Sequence, residues 1–198
     1  MNFTNIDITQ EPLITASQIW KRFHYVFFTD IQALIICLKR FHQAMALADI
    51  TQAKQELETA SDLLRASGAA MTLAGSFNRQ DYEADVRLTM MPPNVQSDNF
   101  SGLMSYDHAV LMSLWKQLNP WFKDLPIALE NTHTEFIAAY QELAQGHRAV
   151  CAKFGGGDNK SLRSTQTALD TLDKFSQSRL HTIDPKIHMA RGCPFHNH

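Results

Sequence analysis

The chain is short of cysteine, of charge imbalance and of unbroken apolar sequence. Its 198 residues include three cysteines. Cys37 and Cys151 fall within helical apolar runs and Cys193 stands near the end, so no disulfide framework is expected. A formal net charge of −2 leaves no basic footprint for nucleic acid. The opening residues show no basic stretch followed by an apolar core, so no secretory signal is expected. The most apolar region, Tyr25 to Leu38, is interrupted by Thr29, Asp30 and Gln32 and is too broken to span a membrane. A cytoplasmic protein is expected, with neither nucleic acid nor membrane as partner. There is also no His-Glu-x-x-His zinc motif, no Walker loop and no paired Glu-x-x-His pattern of a di-iron bundle.

What is present reads as helix throughout. With 44% hydrophobic and 19% charged residues, the chain is long enough for one domain with a substantial core, taken as residues 1–198. Thr15 or Ser17 can cap a first helix, whose apolar stripe is Trp20, Phe23, Phe27, Ile31, Leu34, Leu38, Phe41 and Met45. Asp49 or Thr51 opens a second, running to about Leu73 and closed by Gly75. A short piece covers Arg79 to Leu88 before Pro92-Pro93 breaks the pattern. A third long helix is expected from Gly102 to Leu118, ended near Pro120. A fourth is expected from Ala128 to Phe154, stopped by Gly155-Gly156-Gly157, and a last one from Thr165 to Leu180. No repeat or alternating strand pattern stands out. The fold class is all-α, a single-domain helical bundle, with an irregular tail over 184–198.

Two histidines interrupt the seams of this bundle. One stripe reads Met104, His108, Leu111, Trp115, Leu118, Phe122. The other reads Phe136, Tyr140, Leu143, His147, Val150, Phe154. Both step by threes and fours, as a core-facing helix stripe does. A buried imidazole without a partner costs roughly 1–3 kcal/mol. Each ring therefore needs either a neighbouring side chain or a ligand. The pattern by itself leaves both readings open, a bonded core histidine or a pair flanking a metal or a heme.

The residues around these histidines carry a resemblance. Phe136-Ile137-Ala138-Ala139-Tyr140, His147-Arg148-Ala149-Val150, Gly155-Gly156-Gly157 and Ser161-Leu162-Arg163-Ser164 follow in order. They resemble the C-terminal heme-binding part of the tryptophan dioxygenase and indoleamine dioxygenase superfamily. Met90-Met91-Pro92-Pro93 and the segment Phe100 to His108 are similar to the smaller bacterial heme-dependent aromatic oxygenases, which include L-tyrosine hydroxylases. The resemblance spans roughly Ala60 to Phe175. It implies heme b as cofactor, His147 as the proximal iron ligand and His108 as a distal acid/base group. Arg148 is then a candidate for a heme propionate. Ser101, Ser161 and Arg163 are candidates for the substrate. The loop reads Gly-Gly-Gly-Asp-Asn-Lys-Ser where tryptophan dioxygenases have Gly-Thr-Gly-Gly-Ser, so its carboxylate-binding role transfers poorly. Ligation of iron by both histidines would close the heme and suit electron transfer or sensing.

The implied activity is oxidation of a small aromatic substrate, an aromatic amino acid or derivative, with oxygen or peroxide. The alternative is a non-catalytic helical heme sensor or interaction module. Oligomeric state is left open, a homo-oligomer included. In the tail, Cys193, His196 and His198 form a competing site for a soft metal or for heme, though Cys-x-x-Cys-His is absent. His24 and His42 are read as flanking the first seam. His133 is expected to be exposed, ahead of the main run of the fourth helix, and His181 at a helix C-terminus.

Overall fold

The computed structural model describes residues 14–95, 105–155 and 165–186. They form an all-helical domain, with no strand among the described residues. Helix α1 (Ala16–Ala46) starts where Thr15 accepts from the Gln18 amide and the Gln18 side chain accepts from the Thr15 amide. This reciprocal bonding satisfies two donors that the helix start would otherwise strand. Helix α2 (Ile50–Ala74) is capped by Asp49 and ends at Gly75. The connection is so tight that Ala48 takes a φ of 55°, a conformation costing a side chain roughly 1–2 kcal/mol. Helix α3 (Arg79–Asp81) runs into a π turn over Tyr82–Val86 and a 3-10 turn over Arg87–Met90. Helix α4 (Tyr106–Lys123) is capped by Ser105. A 3-10 turn, Ile127–Leu129, leads into α5 (Glu130–Gly155), and α6 (Thr165–Ile183) closes the described chain.

Apolar periodicity decides the packing. α1 and α2 form a hairpin; α5 lies on α2, α4 lies on α1, and α6 bridges α4 and α5. The main core fills the space between them with Leu34, Leu38, Phe41, Leu57, Leu64, Leu118, Phe122 and Phe136, all fully buried. Each such side chain contributes about 1.5–3 kcal/mol by leaving water. At Gly68 a Cβ would stand 3.3 Å from the Cα of Leu143, so α2 and α5 meet there almost backbone to backbone. A second, aromatic cluster of Phe77, Val86, Met71, Val150 and Phe154 lies against Trp20 and Tyr82.

Two expectations are corrected. Pro120 does not end the third long helix; it sits inside α4, which runs on to Lys123. Helix persists because Phe122 is fully buried and stacks on Phe41, a gain that outweighs one lost amide bond so near the helix end. His133 is not exposed. It lies inside α5, 7% exposed, stacked 4.6 Å from Phe122 and donating from Nε2 to the Ile183 carbonyl at 2.7 Å. Ring stacking and a satisfied N–H let the imidazole replace an apolar residue there.

That bond is one of several that fix α6. Asn119 donates to the Thr182 carbonyl at 2.7 Å, the Tyr140 hydroxyl donates to the Ser176 carbonyl at 3.2 Å, and Arg148 pairs with Asp173 at 2.9 Å. Polar groups on α4 and α5 thus hold the backbone of α6 across both helices. Residues 187–198 lie outside the described residues, as do 96–104 and 156–164.

Candidate functional site

Both seam histidines feel the charge of one cation, Arg179, which α6 brings to them. His108 is in the first turn of α4, where its amide donates to the Ser105 hydroxyl at 3.2 Å. Its Nε2 lies 2.9 Å from Nη2 of Arg179 on α6. Arg179 can only donate, so Nε2 accepts and the His108 ring is neutral. Burial first, and the Arg179 charge second, push the His108 pKa down to about 4. His147 on α5 is partly buried, and its pKa is pushed down to about 4 by burial, then by Arg179, then by His24. Arg179 on α6 is thus within electrostatic reach of His108 on α4 and His147 on α5, and His147 is within reach of His24 on α1.

His24 is held differently. Its Nδ1 donates to the Trp20 carbonyl at 2.8 Å and its ring lies 4.2 Å from the Trp20 indole. That bond fixes the tautomer and leaves Nε2 with a free lone pair. Burial lowers the His24 pKa, against the raising effect of the Trp20 bond. Beyond Trp20 stand Phe77, Tyr82 and Phe154, with Tyr82 and Phe154 stacked at 4.4 Å. Cys151, one turn past His147 on the same face, keeps its proton because burial raises its pKa. On α4, Trp115 packs edge-on to Tyr140 at 5.3 Å, and its buried indole N–H has no acceptor among the described residues.

A neutral imidazole presents a lone pair, which is what iron needs. His147 makes no hydrogen bond among the described residues and is the better candidate. His108 has its Nε2 occupied by Arg179. Among the described residues no three His, Cys, Asp or Glu side chains converge as a bare-ion site would require. A group held through a single side chain, such as an iron porphyrin, would need no such cluster.

A family model described as the SfmD 3-methyl-L-tyrosine peroxygenase matches residues 9–135. The chain belongs to that family. The matched stretch includes His24 and His108; His147 and Arg179 lie beyond it. The chain is also 28% identical over 186 residues to the 3-methyl-L-tyrosine peroxygenase of Streptomyces lavendulae, covering 88% of this chain and 49% of that protein. It thus spans about half the length of that peroxygenase. No solved structure matches significantly.

The remaining sequence candidates fall elsewhere. Arg148 is exposed and turns away from the histidines to grip Asp173 with two bonds, at 2.9 and 3.3 Å. Ser101, Ser161, Arg163, Cys193, His196 and His198 lie outside the described residues. From the sequence His24 is set at the flank of the first seam and Arg179 is given no part, yet both sit at seam positions. Trp20, His24, Phe27, Ile31 steps by four, three, four; so does Leu172, Ser176, Arg179, Ile183. The signal that exposed His108 and His147 was therefore present for both.

The histidine electrostatics carry a stability prediction. A folded-state pKa of about 4 for His108 and His147, against an ordinary 6.5, means the unfolded chain binds more protons between those values. Stability then rises with pH through that window and is lost as pH falls from 6.5 toward 4. The lowered pKa values of His24 and His133 act in the same direction. Thermal melts across the window should show a falling midpoint. Replacing His108 and His147 together by Gln should flatten the decline; an unchanged slope would show that these rings are not held neutral.

Proposed function

We propose that this chain forms a heme-dependent peroxygenase site that oxidises an aromatic amino acid or a derivative of one, with hydrogen peroxide as oxidant. One observation supports this above the others. A neutral imidazole on α4 accepts from a guanidinium on α6, and a second imidazole on α5 lies within electrostatic reach of that guanidinium, in a chain whose family is described by peroxygenation of a methylated tyrosine. In the overall change one peroxide oxygen enters a C–H bond of the ring and the other leaves as water. When bound, heme would supply the metal chemistry that activates peroxide, the two oxidising equivalents coming from the peroxide itself.

The protein's own residues supply ligation, proton handling and exclusion of water. His147, neutral and without a hydrogen bond among the described residues, is the residue that would hold the heme iron. His108 is assigned as the acid/base group: its Nε2 accepts a proton from peroxide once Arg179 leaves it, and returns that proton to the departing oxygen. Trp20, Phe77, Tyr82 and Phe154 offer an apolar wall suited to a flat ring system. The relation to the tryptophan and indoleamine dioxygenase superfamily, heme b as the cofactor, and a cytoplasmic site of action are parts of the same proposal. No helix among the described residues is long and apolar enough to cross a membrane.

The test is direct. Protein produced with adequate heme supply is expected to show a Soret band and to oxidise 3-methyl-L-tyrosine or L-tyrosine when peroxide is added. A heme-bound protein without turnover would support a sensor instead. A protein that takes up no heme would remove both heme readings.

A further inference from the structure

Arg179 is a partly buried cation whose described partners are all neutral. It donates to His108 at 2.9 Å, reaches the Tyr140 hydroxyl, and lies 5.8 Å from the centre of the Phe175 ring. No carboxylate among the described residues stands within ion-pair distance of it. Other arginines of the fold behave differently. Arg40 pairs with Glu56 at 2.7 Å, Arg65 with Glu135 at 2.8 Å, Arg87 with Glu83 at 2.7 Å and Arg148 with Asp173 at 2.9 Å. Asp173 lies on the same helix as Arg179, but Arg148 takes it. A guanidinium has five donors in a planar fork, and here the described acceptors are one imidazole nitrogen and one phenol. Beside two neutral imidazoles, the Arg179 guanidinium carries a charge that no carboxylate among the described residues offsets. The fork geometry and the aromatic surroundings of Tyr140, Trp115 and Phe175 suit the carboxylate of an aromatic or porphyrin ligand.

We propose that Arg179 is the carboxylate receptor of this site, and that engaging a ligand carboxylate draws its guanidinium off Nε2 of His108. The inference rests on the peroxygenase reading for the identity of the ligand. It gives to α6 the role that sequence considerations offered to Arg148 and Arg163. It also couples the two halves of the reaction, because the acid/base nitrogen is freed only when the anion is seated. The same chemistry has two sources, the carboxylate of an amino-acid substrate and the propionate of a heme.

The experiment compares two ligand pairs on the full chain: L-tyrosine against tyramine, and iron protoporphyrin IX against its dimethyl ester. Affinities are read by calorimetry and absorption, and the His108 ring nitrogens by NMR. The wild type should prefer the carboxylate-bearing member of at least one pair, with a shift at His108 Nε2. Arg179→Gln should reduce that preference on the order of 10- to 100-fold, the worth of a charge-assisted pair. Arg179→Lys keeps the charge but loses the fork, and should show a smaller loss with α6 still docked by circular dichroism. Loss confined to the tyrosine pair assigns the substrate; loss confined to the porphyrin pair assigns a propionate. A wild type without preference in either pair, or variants that retain it, would overturn the proposal. If the wild type binds no porphyrin, the peroxygenase reading fails, while the tyrosine pair still judges Arg179.

Discussion

Replacing His147 by Ala should abolish tight heme retention. The imidazole stands on α5 with no hydrogen-bond partner among the described residues, and its pKa of about 4 keeps it neutral across the physiological range. A neutral ring has its lone pair free for iron without first losing a proton, and no protein bond must be broken to use it. Alanine removes the only group assigned to the iron. The variant should be produced with little heme, or with a Soret band shifted to that of a weakly ligated pigment. The fold should survive, because His147 is partly exposed and its seam neighbours Tyr140, Val150 and Phe154 remain. Circular dichroism matching the wild type would establish that. Unchanged heme content together with an unchanged spectrum would defeat the assignment. Imidazole added to the variant should restore the wild-type spectrum, since it refills the cavity with the same donor.

Substituting Ala at His108 should keep the heme and slow oxidation by about 10²–10⁴-fold, the range of a general acid/base group. The ring is neutral and its Nε2 already accepts a hydrogen bond from Arg179, so it is an acceptor by geometry as well as by pKa. Its folded pKa of about 4 predicts that the basic form persists down to that pH. In the ligand-free protein His108 should then stay neutral above pH 5 or so, roughly one unit above that value, as NMR of its ring nitrogens would show. Full activity in His108→Ala would reject proton transfer by this residue. Loss of heme from it would mean that both histidines ligate iron.

Much of the fold was legible in the chain because its physics is local. The Thr15 and Asp49 caps, the Gly75 stop and the apolar steps of three and four along α1, α4 and α5 depend on residues within a turn or two of one another. Those features predict helices at nearly the positions observed. The same periodicity singled out His108 and His147, since a polar ring on an apolar seam is visible without knowing what it faces. At Pro120, local reasoning failed. Its penalty is local, whereas the burial of Phe122 against Phe41 that offsets it comes from a helix far away in sequence. His133 was misread as exposed for a related reason: its partner is the Ile183 carbonyl, 50 residues on.

Which other inward-facing residues meet His108 and His147 was decided by tertiary structure. Arg148 neighbours His147 in sequence, but a step of one residue turns it about 100° around the helix, toward Asp173 and away from the cluster. Arg179 is 71 residues from His108 and joins it because His133, Asn119 and Tyr140 clasp the backbone of α6 across α4 and α5. His24 joins from the far end of the chain through the packing of α1. Periodicity could mark each of these as inward-facing. Which inward faces look at each other depends on how whole helices cross, and that is set by the summed burial of many side chains, not by any motif.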